Sequence, residues 1–214
     1  MDHRGELRDA ERPGSRAEVM TRRTLDQYDT PPGYADELMA ELGPHLRPGT
    51  VIDPAAGTGN LLLAARCAGL PQTYPFVGFE ADHDRALELR GLHPWVQVYE
   101  KDYLTAVVND RPSLFISNPP YSQAQEFVTK MLDERGPDTV IAALLRLNFL
   151  GSRKRNEWWR NQLPRPVLRP LSARPSFAGD GRTDATEYAW FIWAPVDVRV
   201  QLSALDWYRG EAAA

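Results

Sequence analysis

The sequence TVIDPAAGTGN, residues 50–60, combines a short apolar strand with a loop that contains two glycines. Gly57 and Gly59 permit a tight turn and lead into a helix that we expect to run from about Gly59 to Ala68. Further strand-like segments alternate with helical ones at residues 75–80, 95–102, 114–117 and 139–147. Regular alternation of this kind predicts an α/β fold with a mostly parallel, doubly wound sheet and helices on both faces.

The two ends of the chain depart from this alternation. Thr30 suits a helix N-cap before Pro31 and Pro32, so we expect a first helix from Pro31 to about Leu42. Near the other end, PVLRPL and EYAWFIWAP read as two neighbouring strands without a long helix between them. Residues 1–20 are polar and lack periodicity, which predicts a flexible tail followed by a single domain over residues 21–214.

The composition is that of an ordinary soluble domain. The chain has 214 residues, of which 43% are hydrophobic and 25% charged, enough for a large core. Its single cysteine, Cys67, excludes a disulfide framework and fits a reducing, cytoplasmic location. The four histidines do not fall at metal-ligand spacing, and no apolar run approaches membrane length. We therefore expect neither a bound metal nor a membrane partner.

Three acidic residues end three successive strands, namely Asp53, Glu80 and Asp102. The carboxyl ends of parallel strands form one rim, where ligands of such sheets bind. Acids there suit a ligand with hydroxyl groups and positive charge, and they suit a pyrophosphate poorly. The loop also lacks the G-x-G-x-x-G pattern and a Walker lysine. S-adenosylmethionine has the required chemistry, although each acid taken alone could be an ordinary helix cap.

The sequence LFISNPPY, residues 114–121, ends the fourth strand in a rigid corner. The prolines restrict the backbone, so the Asn118 side-chain carbonyl and the Pro119 peptide carbonyl are acceptors at fixed spacing. Two such acceptors match an NH₂ group whose lone pair is delocalised into an aromatic ring, because binding both hydrogens returns that pair to nitrogen. Tyr121 offers an aromatic face for a flat base. The alternative is a proline-rich turn without a function.

Together, DPAAGTGN, FVGFE, the strand ending in Asp102, SNPPY and TPPGYADELM resemble the amino-methyltransferases, in particular the DNA adenine-N6 methyltransferases of phage and restriction–modification type. The resemblance covers roughly residues 28–195. It implies a Rossmann-like class I methyltransferase fold, with a seven-stranded sheet whose last strand is antiparallel, and S-adenosyl-L-methionine as cofactor. The implied activity is methyl transfer to the N6 amino group of adenine in DNA.

The resemblance also implies roles for individual residues. The target base would be held by Asn118, Pro119, Pro120 and Tyr121, and Phe177 would cover its second face unless it is a core residue. The methionine end of the cofactor would contact Tyr28, Thr30 and Pro31, the ribose Glu80 and Ala81, and the adenine Asp102 and Tyr103. The remaining cofactor contacts would come from the glycine loop and the corner, namely Asp53, Pro54, Ala55, Gly57, Gly59, Asn60 and Asn118.

Basic residues are concentrated in one segment, although the net charge of the chain is −4. Residues 146–182 contain nine basic and two acidic residues, so this segment carries +7 and the remainder carries −11. Charge alone leaves two interpretations, solvated arginines or a strip that faces phosphates. With the resemblance, we expect DNA contacts from Arg153, Lys154, Arg155 and Arg174.

The sequence departs from the family pattern in one respect, and it leaves other functions open. Only 19 residues follow Pro195, with no room for a separate target-recognition domain. We therefore expect weak or short sequence preference, or recognition supplied by a partner or a dimer. The alternatives are an RNA amino-methyltransferase, a protein glutamine-N5 methyltransferase and, from a different class, an inactive nucleic-acid-binding subunit.

Overall fold

The computed structural model describes residues 29–31, 33–108, 112–162, 164–171, 173–175, 186–199 and 202. The expected tail over residues 1–20 lies outside this part of the chain. The described residues form one seven-stranded sheet. Its strands are β1 (Thr50–Asp53), β2 (Phe76–Glu80), β3 (Val96–Glu100), β4 (Pro112–Ser117), β5 (Val140–Arg146), β6 (Val167–Pro170) and β7 (Tyr188–Trp193).

The strand order is β3-β2-β1-β4-β5-β7-β6. The pairs among β1 to β5 are all parallel, whereas β7 is antiparallel to both β5 and β6. The order reverses at β1, because β2 lies on one side of it and β4 on the other. Ligands of doubly wound sheets bind at this switch point. The predicted fold class, with an antiparallel last strand, is confirmed.

The helices are α1 (Asp36–Leu42), α2 (Asn60–Cys67), α3 (His83–Leu92), α4 (Ala124–Glu134), α5 (Asn156–Asn161) and α6 (Val196–Arg199). Short 3₁₀ turns cover Gly43–His45, Tyr103–Thr105, Tyr121–Gln123 and Leu147–Phe149. Among the described residues, no helix has the length and apolar character needed to cross a membrane.

The two faces of the sheet carry separate hydrophobic clusters. Strand β4 shows the alternation, because Leu114 and Ile116 belong to one cluster and Phe115 to the other. Helices α1 to α3 cover the first face, and α4 and α5 cover the second. Buried on both faces, the central strands read as continuous apolar runs, as is typical of parallel sheets.

Two helices differ from the sequence-based expectation. Helix α1 begins at Asp36 rather than at Pro31, because Gly33 adopts a left-handed φ of 91° and starts a turn. The Gly33 carbonyl accepts a hydrogen bond from Asp36 N at 3.2 Å. The expectation of a Thr30 cap is therefore wrong. The sequence also predicts a helix near Ser152 to Gln162, but helix α5 is shorter because Arg153–Arg155 form a turn. The predicted end of α1 at Leu42 is confirmed.

Candidate active site

The glycine loop after β1 is built around two left-handed glycines. Gly57 has a φ of 51° and Gly59 a φ of 87°. A Cβ atom at Gly57 would collide with the side chains of Asp29 and Arg85, and one at Gly59 with Leu89 and His93. Glycine is therefore required at both positions, by conformation and by packing.

Glu80, the last residue of β2, holds this loop in place. Its Oε2 accepts a hydrogen bond from Gly57 N at 3.0 Å, and its Oε1 accepts one from Asp82 N at 2.9 Å. Each carboxylate oxygen has a second lone-pair site. Glu80 can therefore hold the loop and still accept hydrogen bonds from ligand hydroxyl groups.

The segment before α1 lies over the glycine loop. Asp29 Oδ1 accepts from Thr58 N at 3.2 Å and forms an ion pair with Arg85. Asn60 Nδ2 donates to the Thr30 carbonyl at 2.9 Å. Burial disfavours the charged guanidinium of Arg85, but the carboxylates of Asp29 and Glu80 outweigh that effect and raise its pKa. We call Asp29–Pro31 the covering segment.

A narrow cavity lies beneath the covering segment, with space for about one water molecule. Its walls are Asp29 and Thr30, loop residues between Asp53 and Leu61, and Asn118. Asn118 is 8% exposed. The fold thus brings the corner after β4 and the glycine loop after β1 to the same cavity.

Asp53 brings an uncompensated carboxylate to this cavity. It is 1% exposed, its Oδ1 accepts from Ala55 N at 3.0 Å, and its Oδ2 has no hydrogen-bond partner among the described residues. Ser117 Oγ is also buried, and although it meets no hydrogen-bond geometry among the described residues, it lies close enough to Asp53 to affect that carboxyl group. Burial raises the pKa of Asp53 to about 7; Ala55 N–H and the Ser117 hydroxyl lower it, and Glu80 adds to the rise. A buried acceptor facing a cavity suits a cationic ligand group.

Tyr121 is part of a cluster that supports Asn118. Its hydroxyl donates to Asn118 Oδ1 at 3.1 Å. The Arg146 guanidinium carbon lies 4.3 Å from the centroid of the Tyr121 ring, and Arg146 Nε donates to Tyr188 Oη at 3.0 Å. Burial raises the pKa of the Tyr121 hydroxyl, which therefore stays protonated as a donor. One face of the Tyr121 ring is thus covered by Arg146, at the end of β5.

The remaining predicted cofactor residues differ in exposure. Asp102 and Ala81 are exposed, and Asp102 Oδ1 accepts from Leu104 N at 2.9 Å. Tyr103 is 1% exposed in the core of the second face, where its hydroxyl donates to Glu134 at 2.6 Å. The contact of Tyr103 with adenine stays a prediction, as does the ribose contact of Ala81.

The predicted proline residues and the predicted DNA-contact residues also differ in burial. Pro54 and Pro119 are buried and Pro120 is half-buried. Arg153, Lys154 and Arg174 are exposed, as expected for phosphate contacts. In contrast, Arg155 donates to the carbonyls of Phe149 and Asn148 at 2.9 and 3.0 Å, and Arg169 is fully buried against Glu41. Tyr28 and Phe177 lie outside the described residues.

Several residues at the cavity were not predicted from the sequence. Asp29 and Thr58 lie beside predicted residues, and their positions next to Thr30 and Gly57 were the available signal. Ser117 likewise precedes the predicted Asn118, whereas Arg85, which pairs with Asp29, had no signal because its contacts join residues up to 56 positions apart. In the described part of the chain, no group of three or more His, Cys, Asp or Glu residues could hold a metal ion.

The strand order of the sheet identifies the type of fold. The strand order, with β7 antiparallel, is the Rossmann-like fold of class I S-adenosylmethionine-dependent methyltransferases, and solved members of that class superimpose on this chain. Searches with family profiles and among curated proteins gave no match.

Three solved structures illustrate the similarity. A type I restriction–modification methyltransferase subunit from Streptococcus thermophilus has a TM-score of 0.65 at 18% identity, over 84% of this chain and 48% of that one. A provisionally assigned class I methyltransferase from Listeria monocytogenes has a TM-score of 0.61 at 14% identity, over 80% and 62%. A provisionally assigned RNA methyltransferase from Pyrococcus horikoshii has a TM-score of 0.61 at 18% identity, over 80% and 88%. This chain thus spans less than two thirds of the first two.

Proposed function

We propose that this protein transfers a methyl group from S-adenosyl-L-methionine to the exocyclic N6 amino group of adenine in DNA. One observation supports this most strongly: Asn118 lies on the same narrow cavity as the glycine loop and Asp53. Asn118, an acceptor for an amine, therefore lies next to the polar groups that suit a cationic nucleoside.

The cavity residues fit the cofactor by their chemistry. The Asp53 carboxylate, with an unpaired Oδ2, would accept a hydrogen bond from the cofactor's ammonium group. Glu80, which holds Gly57 of the cavity wall, would accept from ribose hydroxyls mainly through Oε1, because its Oε2 accepts from Gly57 N and lies 3.5 Å from Arg85 Nε. The bound cofactor supplies an electrophilic methyl group on a sulfonium.

The corner after β4 would hold and activate the target amine. Asn118 Oδ1 and the Pro119 carbonyl would each accept one N–H of the adenine amino group, which returns the nitrogen lone pair from the ring. Asn118 Oδ1 also accepts a hydrogen bond from the Tyr121 hydroxyl, which helps to fix the orientation of its side chain. No general base is required before attack, and the proton leaves to solvent afterwards. Positioning and fixed dipoles would provide most of the acceleration.

Two features support a nucleic acid as substrate over a protein amide, and the second is consistent with DNA, although the similar solved structures also include an RNA methyltransferase. Arg153, Lys154 and Arg174 are exposed cations in a segment that carries +7. The similar solved structures include a restriction–modification methyltransferase subunit, and a subunit implies a partner that could supply sequence recognition. A target inside a duplex must be flipped into the cavity, at a cost of a few kcal/mol.

The decisive experiment incubates the protein with labelled S-adenosylmethionine and separate pools of DNA, RNA and protein, followed by nucleoside analysis. We expect label in DNA, recovered as N6-methyladenine. Label in RNA or in protein glutamine would identify one of the alternative activities instead, and no label in any pool would favour an inactive binding subunit.

Replacement of Asn118 tests the mechanism. Asn118→Ala should lower kcat by about a hundredfold or more, the scale on which preorganised polar groups contribute to transition states. Its affinity for S-adenosylmethionine should stay within about threefold of wild type, since Asp53 and Glu80 remain. Asn161→Ala is the matched control, because Asn161 is exposed at the end of α5. Equal activity of the two variants would contradict the assigned role.

A further inference from the structure

A second and larger cavity lies between α5 and β6, with a volume of about 540 Å³. This is the size range of sites for small organic ligands. Its apolar lining comes from Leu150, Trp159, Pro166 and Leu168. We call it the arginine pocket, for the two residues that give it its charge.

Among the described residues, the polar lining of the arginine pocket consists of Arg153, Arg165, Ser152 and Asn156 and includes no acidic side chain. Arg153 and Arg165 are exposed. The Arg165 guanidinium carbon lies 5.9 Å from the centroid of the Trp159 ring. The pocket thus combines positively charged hydrogen-bond donors with an apolar, aromatic surface. This combination suits an anion that also carries a flat ring.

The pocket is firmly connected to the corner at Asn118. Leu150 follows Arg146, which contacts Tyr121, by four residues, so their Cα atoms are at most about 14 Å apart. Arg155 fixes the turn between them through the carbonyls of Asn148 and Phe149.

Helix α5 is also tied to the helix that follows the corner, since Trp158 Nε1 donates to Thr129 Oγ1 in α4 at 2.9 Å. Asn118 follows β4 and Leu150 lies just after β5, and these two strands are adjacent and parallel, so the corner and the arginine pocket lie at the same edge of the sheet. A strand that places one base at Asn118 can therefore extend toward the arginine pocket.

We propose that the arginine pocket binds one nucleotide of the substrate strand that flanks the target base. Its phosphate contacts Arg153 and Arg165, and its sugar and base pack on Trp159 and Leu168. The inference rests on the proposed nucleic-acid substrate and deepens it, because it assigns the recognition of flanking nucleotides to this domain itself.

The test measures binding of a fluorescent DNA oligonucleotide by anisotropy, in the presence of S-adenosylhomocysteine so that no methyl transfer occurs. Arg165→Ser should weaken binding about tenfold, because it removes a charge-assisted hydrogen bond to phosphate. Arg160→Ser is the matched control: it removes the same charge from an exposed residue of α5 that does not line the pocket. Its affinity should change less than twofold.

A phosphate scan adds positional information. Neutral methylphosphonates are introduced one at a time, and at one position the substitution should cost wild type about tenfold but Arg165→Ser less than twofold. Equal affinities of the Arg165 and Arg160 variants, or equal losses at every position, would overturn the proposal. Stronger competition by an acidic peptide than by the oligonucleotide would assign the pocket to a protein partner and overturn it too.

The two proposals fail in distinguishable ways, because binding is measured without turnover. A tenfold difference between the variants without any DNA methylation would refute only the proposed function. Methylation of DNA with no difference between the variants would refute only the arginine pocket.

Discussion

Asp53 combines deep burial with a carboxylate oxygen that lacks a partner. A group whose pKa is raised to about 7 changes charge within the ordinary working range of an enzyme. Below pH 7 it is mostly a neutral acid, and above pH 7 it is mostly an anion. Its attraction for a cationic ligand therefore depends on pH.

We predict that affinity for S-adenosylmethionine rises about tenfold between pH 6 and pH 8 in the wild-type protein, because Asp53 becomes charged. Asp53→Asn should bind more weakly at pH 8 and lose this rise. Isothermal titration at several pH values measures both proteins. The cofactor's own ionisation is common to both, so only the difference between the two profiles reports Asp53; parallel profiles would contradict the prediction.

The Asp53 carboxyl group should also affect the stability of the fold. Here a rise in pH is unfavourable, whereas it favours binding of the cofactor. Its pKa in the folded chain is above its unfolded value of about 3.9, so between about pH 4 and pH 7 the folded state binds more protons. This contribution to the free energy of unfolding falls as pH rises to about 7, and it is constant above. Asp53→Asn should therefore melt at a higher temperature than wild type at pH 8, with a smaller difference at pH 5.

At this scale the sequence predicted the positions of the acids but not their partners. Asp53 and Glu80 are the last residues of β1 and β2 and Asn118 directly follows β4, as local sequence indicates, whereas Asp102 lies two residues beyond the end of β3. The contact of Arg146 with Tyr121 and Tyr188 joins residues up to 42 positions apart. Such contacts depend on the order of strands in the sheet, so a single sequence does not show them.

At the scale of elements, the covering segment closes the cavity from above. Asp29 contacts the glycine loop and Arg85, and Thr30 accepts from Asn60. The cavity below has space for about one water molecule, whereas the proposed cofactor is far larger. We therefore expect the covering segment to move away from the loop when the cofactor binds.

We predict that Asp29→Asn accelerates the association of S-adenosylhomocysteine several-fold, because the ion pair with Arg85 no longer holds the segment closed. Stopped-flow measurement of ligand association gives the rate constant. Asp197→Asn is the control, since it removes the exposed ion pair with Arg47. Slower association of the Asp29 variant would show that Asp29 binds the ligand directly and does not hold the covering segment closed.

The elements differ in how well the sequence predicted them. The parallel strands and the helices between them follow from alternating apolar and polar segments, so their alternation along the chain was predicted. The start of α1 was not, because Thr30 and Pro31 form a typical helix start, yet the Thr30 carbonyl accepts from Asn60 in the glycine loop. A long-range contact here overrides the local preference.

For the whole molecule, the distribution of charge matters more than its sum. The net charge is −4, yet residues 146–182 carry +7. The structure divides these cations into buried and exposed ones, with Arg169 and Arg155 engaged inside the protein and Lys154 and Arg174 on the surface. Counting charges along the sequence therefore overstates the surface available to a nucleic acid.

We predict that DNA affinity falls steeply with salt and that exposed cations of this segment set the slope. Each phosphate neutralised on duplex DNA contributes about 0.9 to the slope of log Kobs against log salt concentration. Lys154→Ser with Arg174→Ser should therefore reduce the slope by about 2. Arg47→Ser with Arg66→Ser is the matched control, because Arg47 precedes β1 and Arg66 ends α2, at the opposite ends of the strands from Asn118. It removes the same charge and should leave the slope unchanged; equal slopes for both double variants would mean that net charge, and not this surface, determines binding.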